Sequence, residues 1–413
     1  MKKNIVLMLV AVSFLTCGVY AKDFYVNPKI GNPENDGSKE KPWQTLQEVF
    51  SNKLIQNKSW EKLPYKKDAK LKVKNSKGVV KGGDTIWLYG GEHGAVKVHG
   101  YYNDDFITIK AVDGEKPILN GFSIQSGSFW KLSGLQFMPS KNSTGKGVFA
   151  SLVFHGWNGP AYDFVVENCC FSSAEDTSEW TLDDWNKRAY TAINTDAPRS
   201  IITNNYAKNI DAGINVRASA RNSLIAYNKF ENFANDGMRG LADDCVFEYN
   251  IVKNCYDVNG NHDDCFQSWT TRKNEDGSKK PVKNITLRGN VFINFEDPKQ
   301  PFRGSLQGIG CFDGPYENFL IENNVIMIDQ WHGITVMGAV DCKVINNTVV
   351  DPDPATRPGP CWIMIRGTKK NSKGASGSVV RNNITPGISK EGAGSTIFEN
   401  NLLIRAYCLM FFL

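Results

Sequence analysis

Ile201-Ile202-Thr203-Asn204-Asn205, Leu224-Ile225-Ala226-Tyr227-Asn228 and Val246-Phe247-Glu248-Tyr249-Asn250 repeat one short phrase. Their final asparagines are spaced by 23 and then 22 residues. Each phrase is a run of strand-forming residues that stops at asparagine. It returns as Ile285-Thr286-Leu287-Arg288-Gly289-Asn290, Leu320-Ile321-Glu322-Asn323-Asn324, Val344-Ile345-Asn346-Asn347 and Val379-Val380-Arg381-Asn382-Asn383, and it is announced at Val165-Val166-Glu167-Asn168. A period of about 22 residues, built from short β runs without helical periodicity, marks a solenoid. Asparagine suits one fixed phase of each turn, because it tolerates the left-handed conformation and can bond to its equivalent one rung away. A β-sandwich also supplies many short strands but has no need of asparagine at a constant phase. The expected fold class is all-β, a parallel β-helix with an N-terminal cap.

After each asparagine turn a second run follows. Thr191-Ala192-Ile193-Asn194, Ala212-Gly213-Ile214-Asn215, Asp236-Gly237-Met238-Arg239, Asp264-Cys265-Phe266-Gln267, Gln307-Gly308-Ile309-Gly310 and His332-Gly333-Ile334-Thr335 align with one another. The apolar third residue is expected inside and the fourth in solvent, by strand alternation. The outward column is then Asn194, Asn215, Arg239, Gln267, Gly310 and Thr335, and the first-position column is Thr191, Ala212, Asp236, Asp264, Gln307 and His332. Rungs stack about 4.8 Å apart, so residues dozens of positions apart in sequence meet on one face. The densest chemistry is His262-Asp263-Asp264-Cys265-Phe266-Gln267-Ser268-Trp269.

Bulk properties narrow the classes. Met1-Lys2-Lys3, the apolar run Ile5 to Val19 and Val19-Tyr20-Ala21 read as a signal peptide cleaved after Ala21, giving a secreted or periplasmic protein with no membrane segment. The chain carries 48 Lys and Arg against 43 Asp and Glu, and cleavage removes Lys2 and Lys3 but no acid. Such a near-neutral chain gives no electrostatic footprint for nucleic acid. The cysteines beyond Cys17 sit singly or as Cys169-Cys170, mostly inside strand-like runs, so they read as small core residues rather than disulfides or zinc ligands. Residues 22–85 are expected to form an N-terminal strand and cap, with a lysine-rich loop from Lys53 to Lys81, before a β-helix domain over 86–413. An open solenoid end needs such a cap to cover strand edges. The apolar tail after Asn401 has no clear assignment.

Asp23-Phe24-Tyr25-Val26-Asn27-Pro28, Asn35-Asp36-Gly37-Ser38 and Lys41-Pro42-Trp43-Gln44-Thr45-Leu46-Gln47 resemble the opening of many secreted bacterial proteins of the pectate-lyase-like superfamily. With the repeats, the resemblance extends over nearly the whole mature chain. It implies a right-handed parallel β-helix, in a superfamily rich in polysaccharide lyases and glycoside hydrolases. A partial likeness to polygalacturonases lies in Asn235-Asp236, Asp263-Asp264-Cys265, His332-Gly333 and Arg366. The departures are the adjacency of Asn235 and Asp236, Trp331 in place of a glycine, no lysine after Arg366, and a histidine displaced by about two rungs.

The residues support several chemistries. For β-elimination on a uronate, Arg239 with Gln267 could hold the carboxylate, and His262 or His332 could take the C5 proton. Asp236, Asp263 and Asp264 could instead bind Ca²⁺ bridging the uronate, leaving an arginine as base. For hydrolysis, Asp236 and Asp264 on adjacent rungs would stand about 5 Å apart, the range of a retaining pair. A C5-epimerase needs much the same groups. Trp269 and Trp331 suit sugar stacking, whereas Trp157 and Trp185 read as loop packing. Arg303, on an inserted loop before Gln307, could reach the groove or stay in solvent. Asn215 and Gln307 complete the substrate-binding set. A non-catalytic glycan-binding β-helix would show monotonous polar repeats, unlike residues 235–269. The expected partner is a polysaccharide, most simply an acidic one, taken up by a monomer and cleaved first by elimination and alternatively by hydrolysis.

Overall fold

The computed structural model of the protein describes residues 21–62, 64–140, 150–353, 358–369 and 374–404. The expected signal peptide, except Ala21, and the apolar tail from residue 405 lie outside them. Three short parallel strands make each rung. Ile214–Val216, Leu224–Ala226 and Lys229–Phe233 are followed one turn later by Met238–Gly240, Val246–Glu248 and Ile251–Cys255. Ile214 pairs with Met238, Ile225 with Phe247 and Phe230 with Val252, all parallel. The chain is a right-handed parallel β-helix. Ile193, Ile214, Met238, Phe266, Ile309 and Ile334 form one fully buried column, so the third position does face inward. Each such side chain contributes about 1.5–3 kcal/mol on burial, and a one-residue slip would turn the whole set outward.

The asparagines form a ladder. Asn205 Nδ2 and the Asn205 backbone N–H both donate to Asn228 Oδ1, at 2.9 and 3.0 Å. Asn228 does the same to Asn250, Asn250 to Asn290, Asn290 to Asn324, Asn324 to Asn347 and Asn347 to Asn383. Each Nδ2 also reaches a main-chain carbonyl of the preceding rung, as Asn228 does to Ile202 at 2.9 Å. The left-handed conformation falls one residue earlier, at Asn204, Tyr227, Tyr249, Gly289, Asn323 and Asn346. Turning and bonding are therefore split between neighbouring residues rather than combined in one.

The coil begins earlier than residue 86. Asp23–Val26 pairs in parallel register with Thr85–Leu88 and is its first rung. The intervening insertion is not a plain loop. It holds the helix Leu46–Ser51 and an antiparallel hairpin of Asn57–Trp60 with Leu71–Lys74. Thr45 opens the helix as a capping box: Glu48 N–H donates to Thr45 Oγ1 at 3.2 Å, and Thr45 N–H to Glu48 Oε2 at 3.0 Å. Leu46, Val49 and Phe50 turn into the coil, and the Phe50 ring meets Tyr101 and Trp130 at 5.6 Å. The eight cysteines among the described residues are free, and all but Cys170 are buried, as the core assignment expects. Among the described residues no helix is long and apolar enough to cross a membrane.

Candidate active site

The fourth-position column is in register without a gap. Asn194 pairs with Asn215, Asn215 with Arg239, Arg239 with Gln267, Gln267 with Gly310 and Gly310 with Thr335. Simple alternation fails just before it, because the chain bends between the second and third positions and both point inward. A Cβ on Gly237, for example, would lie 2.3 Å from Val252 Cγ1. The first and fourth residues of each rung therefore converge on the outer face. Arg239 Nε bonds Asp236 Oδ2, Gln267 Nε2 donates to Asp264 Oδ2 at 2.8 Å, and His332 Nδ1 meets Thr335 Oγ1 at 2.9 Å. The column is also less open than alternation suggests, with Asn194 and Thr335 buried.

Beneath the groove lies a crowd of carboxyl groups. Asp236 and Asp264 are 1% and 0% exposed. Asp236 Oδ1 accepts the Asp264 backbone N–H at 3.0 Å, while Arg239 Nη2 reaches Asn235 Oδ1 at 2.7 Å. Asp211, absent from the sequence-based set, joins them. It accepts from Thr191 Oγ1 at 3.2 Å and interacts with Asn235 and Arg239. Its signal was a zeroth column, Asp211, Asn235, Asp263 and Trp331, directly before the first position. Gly310 makes room for this arrangement, since a Cβ there would stand 2.0 Å from Asp264 Oδ1.

Burial pushes Asp211, Asp236 and Asp264 above the usual carboxylate range, and for Asp236 the Arg239 guanidinium opposes that push. Asp263 rises to about 8, first through burial and then through the charge of Asp236. Four carboxyl groups around one guanidinium cannot all ionise together, so the cluster holds protons at neutral pH. Among the described residues, several buried oxygens lack hydrogen-bond partners: Asp264 Oδ1, Asp263 Oδ1, Gln307 Oε1, Asn194 Oδ1 and Asn215 Oδ1.

The aspartates do not converge as a Ca²⁺ site requires. Asp236 is committed to Arg239 and the Asp264 amide, and Asp263 Oδ2 accepts from Cys255 Sγ at 3.5 Å. Among the described residues no group of three His, Cys, Asp or Glu is placed to hold a metal ion. Ca²⁺ takes six to eight oxygens, and this donor set does not offer them.

His262 is exposed, and it lies close enough to His332 for its charge to act there. Desolvation, with Lys369 and His262, lowers His332 to about 4, so it is neutral above that pH. The Arg239 guanidinium lies 5.7 Å from the Trp269 ring, and Trp269, Gln267, Phe312 and Asp313 line a cavity of about 290 Å³. Trp331, 44% exposed, stacks on Trp362 at 5.8 Å. Gln307 pairs with Asp264 and Asn215 with Arg239, as their columns required. Arg303 is neither free in solvent nor turned to these residues. It pairs with Asp353, two rungs further along, at 2.8 Å and lies over Phe295 at 3.9 Å. Trp185 is packed away as expected, but from the helix Leu182–Arg188 rather than a loop, against Trp180 and Tyr256. Trp157 is not packed away but 58% exposed.

A larger cavity, about 610 Å³, lies against another sheet, lined by Phe137, Phe171, Tyr206, Tyr256 and Phe302. Its carboxylates Glu175 and Asp176 are exposed, and Asp176 already accepts the Ser178 amide at 2.9 Å. The groove, with its buried charges and orphaned oxygens, is the better candidate.

No family model and no curated protein matches the chain. Solved structures do. The A-module of mannuronan C-5 epimerase AlgE4 from Azotobacter vinelandii aligns with a TM-score of 0.52 at 14% identity, over 78% of this chain and 87% of that one. The chain shares that β-helix fold. The complex of XylC with xylose aligns with a TM-score of 0.48 at 9% identity, over 93% and 86%. A mannuronic acid specific polysaccharide family 6 lyase from human gut microbiota gives 0.45 at 15%, over 80% and 79%.

Proposed function

We propose that the protein is a polysaccharide-cleaving enzyme that acts on a uronate-containing chain by β-elimination. One observation carries this choice: the carboxylates are buried, whereas the donors above them reach the groove. Arg239 spends Nε on Asp236 and Nη2 on Asn235, and Gln267 spends one amide hydrogen on Asp264. Among the described residues Arg239 Nη1 has no hydrogen-bond partner, and Arg239 and Gln267 face each other in register on paired strands. Two oriented donors over a substrate carboxylate stabilise the charge that develops when the adjacent C5 proton leaves. Asp236 and Asp264 act as positioning residues that hold the fork from below.

His262, exposed at the groove, takes the C5 proton. The C5–H electrons form the C4–C5 double bond as the C4–oxygen bond breaks, and the imidazolium returns the proton to the leaving oxygen. His332 stays neutral; with its proton on Nδ1 towards Thr335, Nε2 is left as an acceptor. Trp269 offers a flat face beside this point.

Hydrolysis by Asp236 and Asp264 has the rung spacing in its favour but requires one carboxyl group to reach the glycosidic oxygen and the other the anomeric carbon or its attacking water, and both are sealed from solvent. Epimerisation begins with the same proton removal and differs in returning the proton to C5. The AlgE4 A-module, which shares the fold, is a C-5 epimerase by name. The test is ultraviolet absorbance of an unsaturated uronate during incubation with polygalacturonate, alginate and hyaluronan, alongside a reducing-end assay. Absorbance rising with reducing ends is the expected result. Reducing ends without absorbance would transfer the assignment to the aspartate pair, and neither signal, with a changed C5 configuration, to epimerisation.

A further inference from the structure

Upstream of the site, on the same outer face, an exposed tryptophan is held by a buried scaffold. Trp157 lies flat on His155, with ring centroids 4.1 Å apart and an interplanar angle of 19°. His155, only 3% exposed, is fixed by Asp196, its Nδ1 standing 3.1 Å from Asp196 Oδ2. Arg217 Nε holds the other oxygen, Asp196 Oδ1, at 3.0 Å. Sheet register makes this more than a local cluster. Val153 pairs with Asn194, Asn194 with Asn215 and Asn215 with Arg239, so His155, Asp196 and Arg217 run two residues beyond the column that reaches Arg239. Three rung steps, about 14 Å, separate the Trp157 platform from Arg239.

Between them the column runs through Asn194 and Asn215, whose Oδ1 atoms are sealed from solvent and have no hydrogen-bond partner among the described residues. On the far side of Gln267, two rungs along, Trp331 presents a second aromatic face. Measured along the coil, six rung steps, about 29 Å, separate the rungs that carry Trp157 and Trp331, with those of Arg239 and Gln267 between them.

We infer that Trp157, positioned by His155, Asp196 and Arg217, is a distal sugar-binding platform. The ligand is an internal stretch of a polysaccharide, bound on both sides of the cleavage point, so cleavage is endo. This rests on the proposed function only for the cutting step; the binding stands apart from it.

The test compares wild type, Trp157→Ala and Trp157→Phe by affinity electrophoresis in polygalacturonate, alginate and hyaluronan, with trisaccharides of the same polymers as short probes and thermal melting as the folding control. The expected result is that Trp157→Ala weakens polymer binding by about tenfold. Trisaccharide binding stays the same, Trp157→Phe restores most of the loss, and early wild-type products are long. Unchanged polymer binding by a folded Trp157→Ala variant that still cleaves would overturn the platform and leave the proposed function standing. Trp157-dependent binding without any cleavage product would uphold the platform and overturn the proposed function. Wild type retained by none of the polymers would overturn both.

Discussion

Two polar columns run along this coil with the same rung spacing, and they end in opposite states. On the ladder side, Asn228 Oδ1 accepts two hydrogen bonds and Asn228 Nδ2 donates two, so nothing is left over. On the groove side, Asn194, Asn215, Asp264 and Gln307 each keep an oxygen without a partner, and the aspartates are pushed towards holding protons. Stacking alone thus does not make polar residues costly. Identical residues stacked in phase satisfy one another, whereas a mixed column leaves acceptors without partners. The ladder is fully satisfied within itself, and the groove column is not.

The largest expected break in this contrast is Arg239→Ala. It removes the charge that faces the substrate and should lower kcat/KM by about 10²–10³-fold. Melting should move little, because Asp236 is already inclined to take a proton. A loss of folding in proportion to activity would instead make Arg239 a structural residue.

Asp263 sharpens the comparison through pH. Its folded pKa, about 8, exceeds the ordinary 3.8, so the folded state holds a proton that the unfolded state releases. Stability from this group is full below the unfolded value and falls as pH rises through the window to the folded value, on the order of a few kcal/mol in total. Asp263→Asn should flatten the decline of melting temperature over that window. An unchanged slope would show that Asp263 is not the group holding the proton.

Asn250→Ala attacks the other column. It strands the Asn228 backbone N–H and Nδ2 in the core and should cost about 3 kcal/mol in denaturant unfolding. Activity per folded molecule should be unaltered, the reverse of the Arg239 pattern.

Much of this was legible in the sequence, for a physical reason: a solenoid turns sequence period directly into spatial column. The asparagine phase gave the rungs, and aligning the second runs placed Arg239 beside Gln267 and Asp264 beside Gln307. What stayed hidden depends on departures from ideal strands. The bend that brings Asp236 onto Arg239 and Asp264 onto Gln267 breaks alternation, so the carboxylates' burial beneath the donors could not be foreseen. Asp211 lies one residue before the column used for alignment. The pairing of Asp23–Val26 with Thr85–Leu88 was obscured by the long insertion between them. Arg303 and Trp157 sit on loops, whose direction no period fixes.

The central claim is that bond cleavage in the groove is elimination and not addition of water. The most direct measurement is the mass of fragments released from a uronate polymer in heavy-oxygen water. The account predicts unsaturated fragments without the heavy oxygen, since no water enters the product. Saturated fragments carrying heavy oxygen at the new reducing end would contradict it and make the buried aspartates the reacting pair.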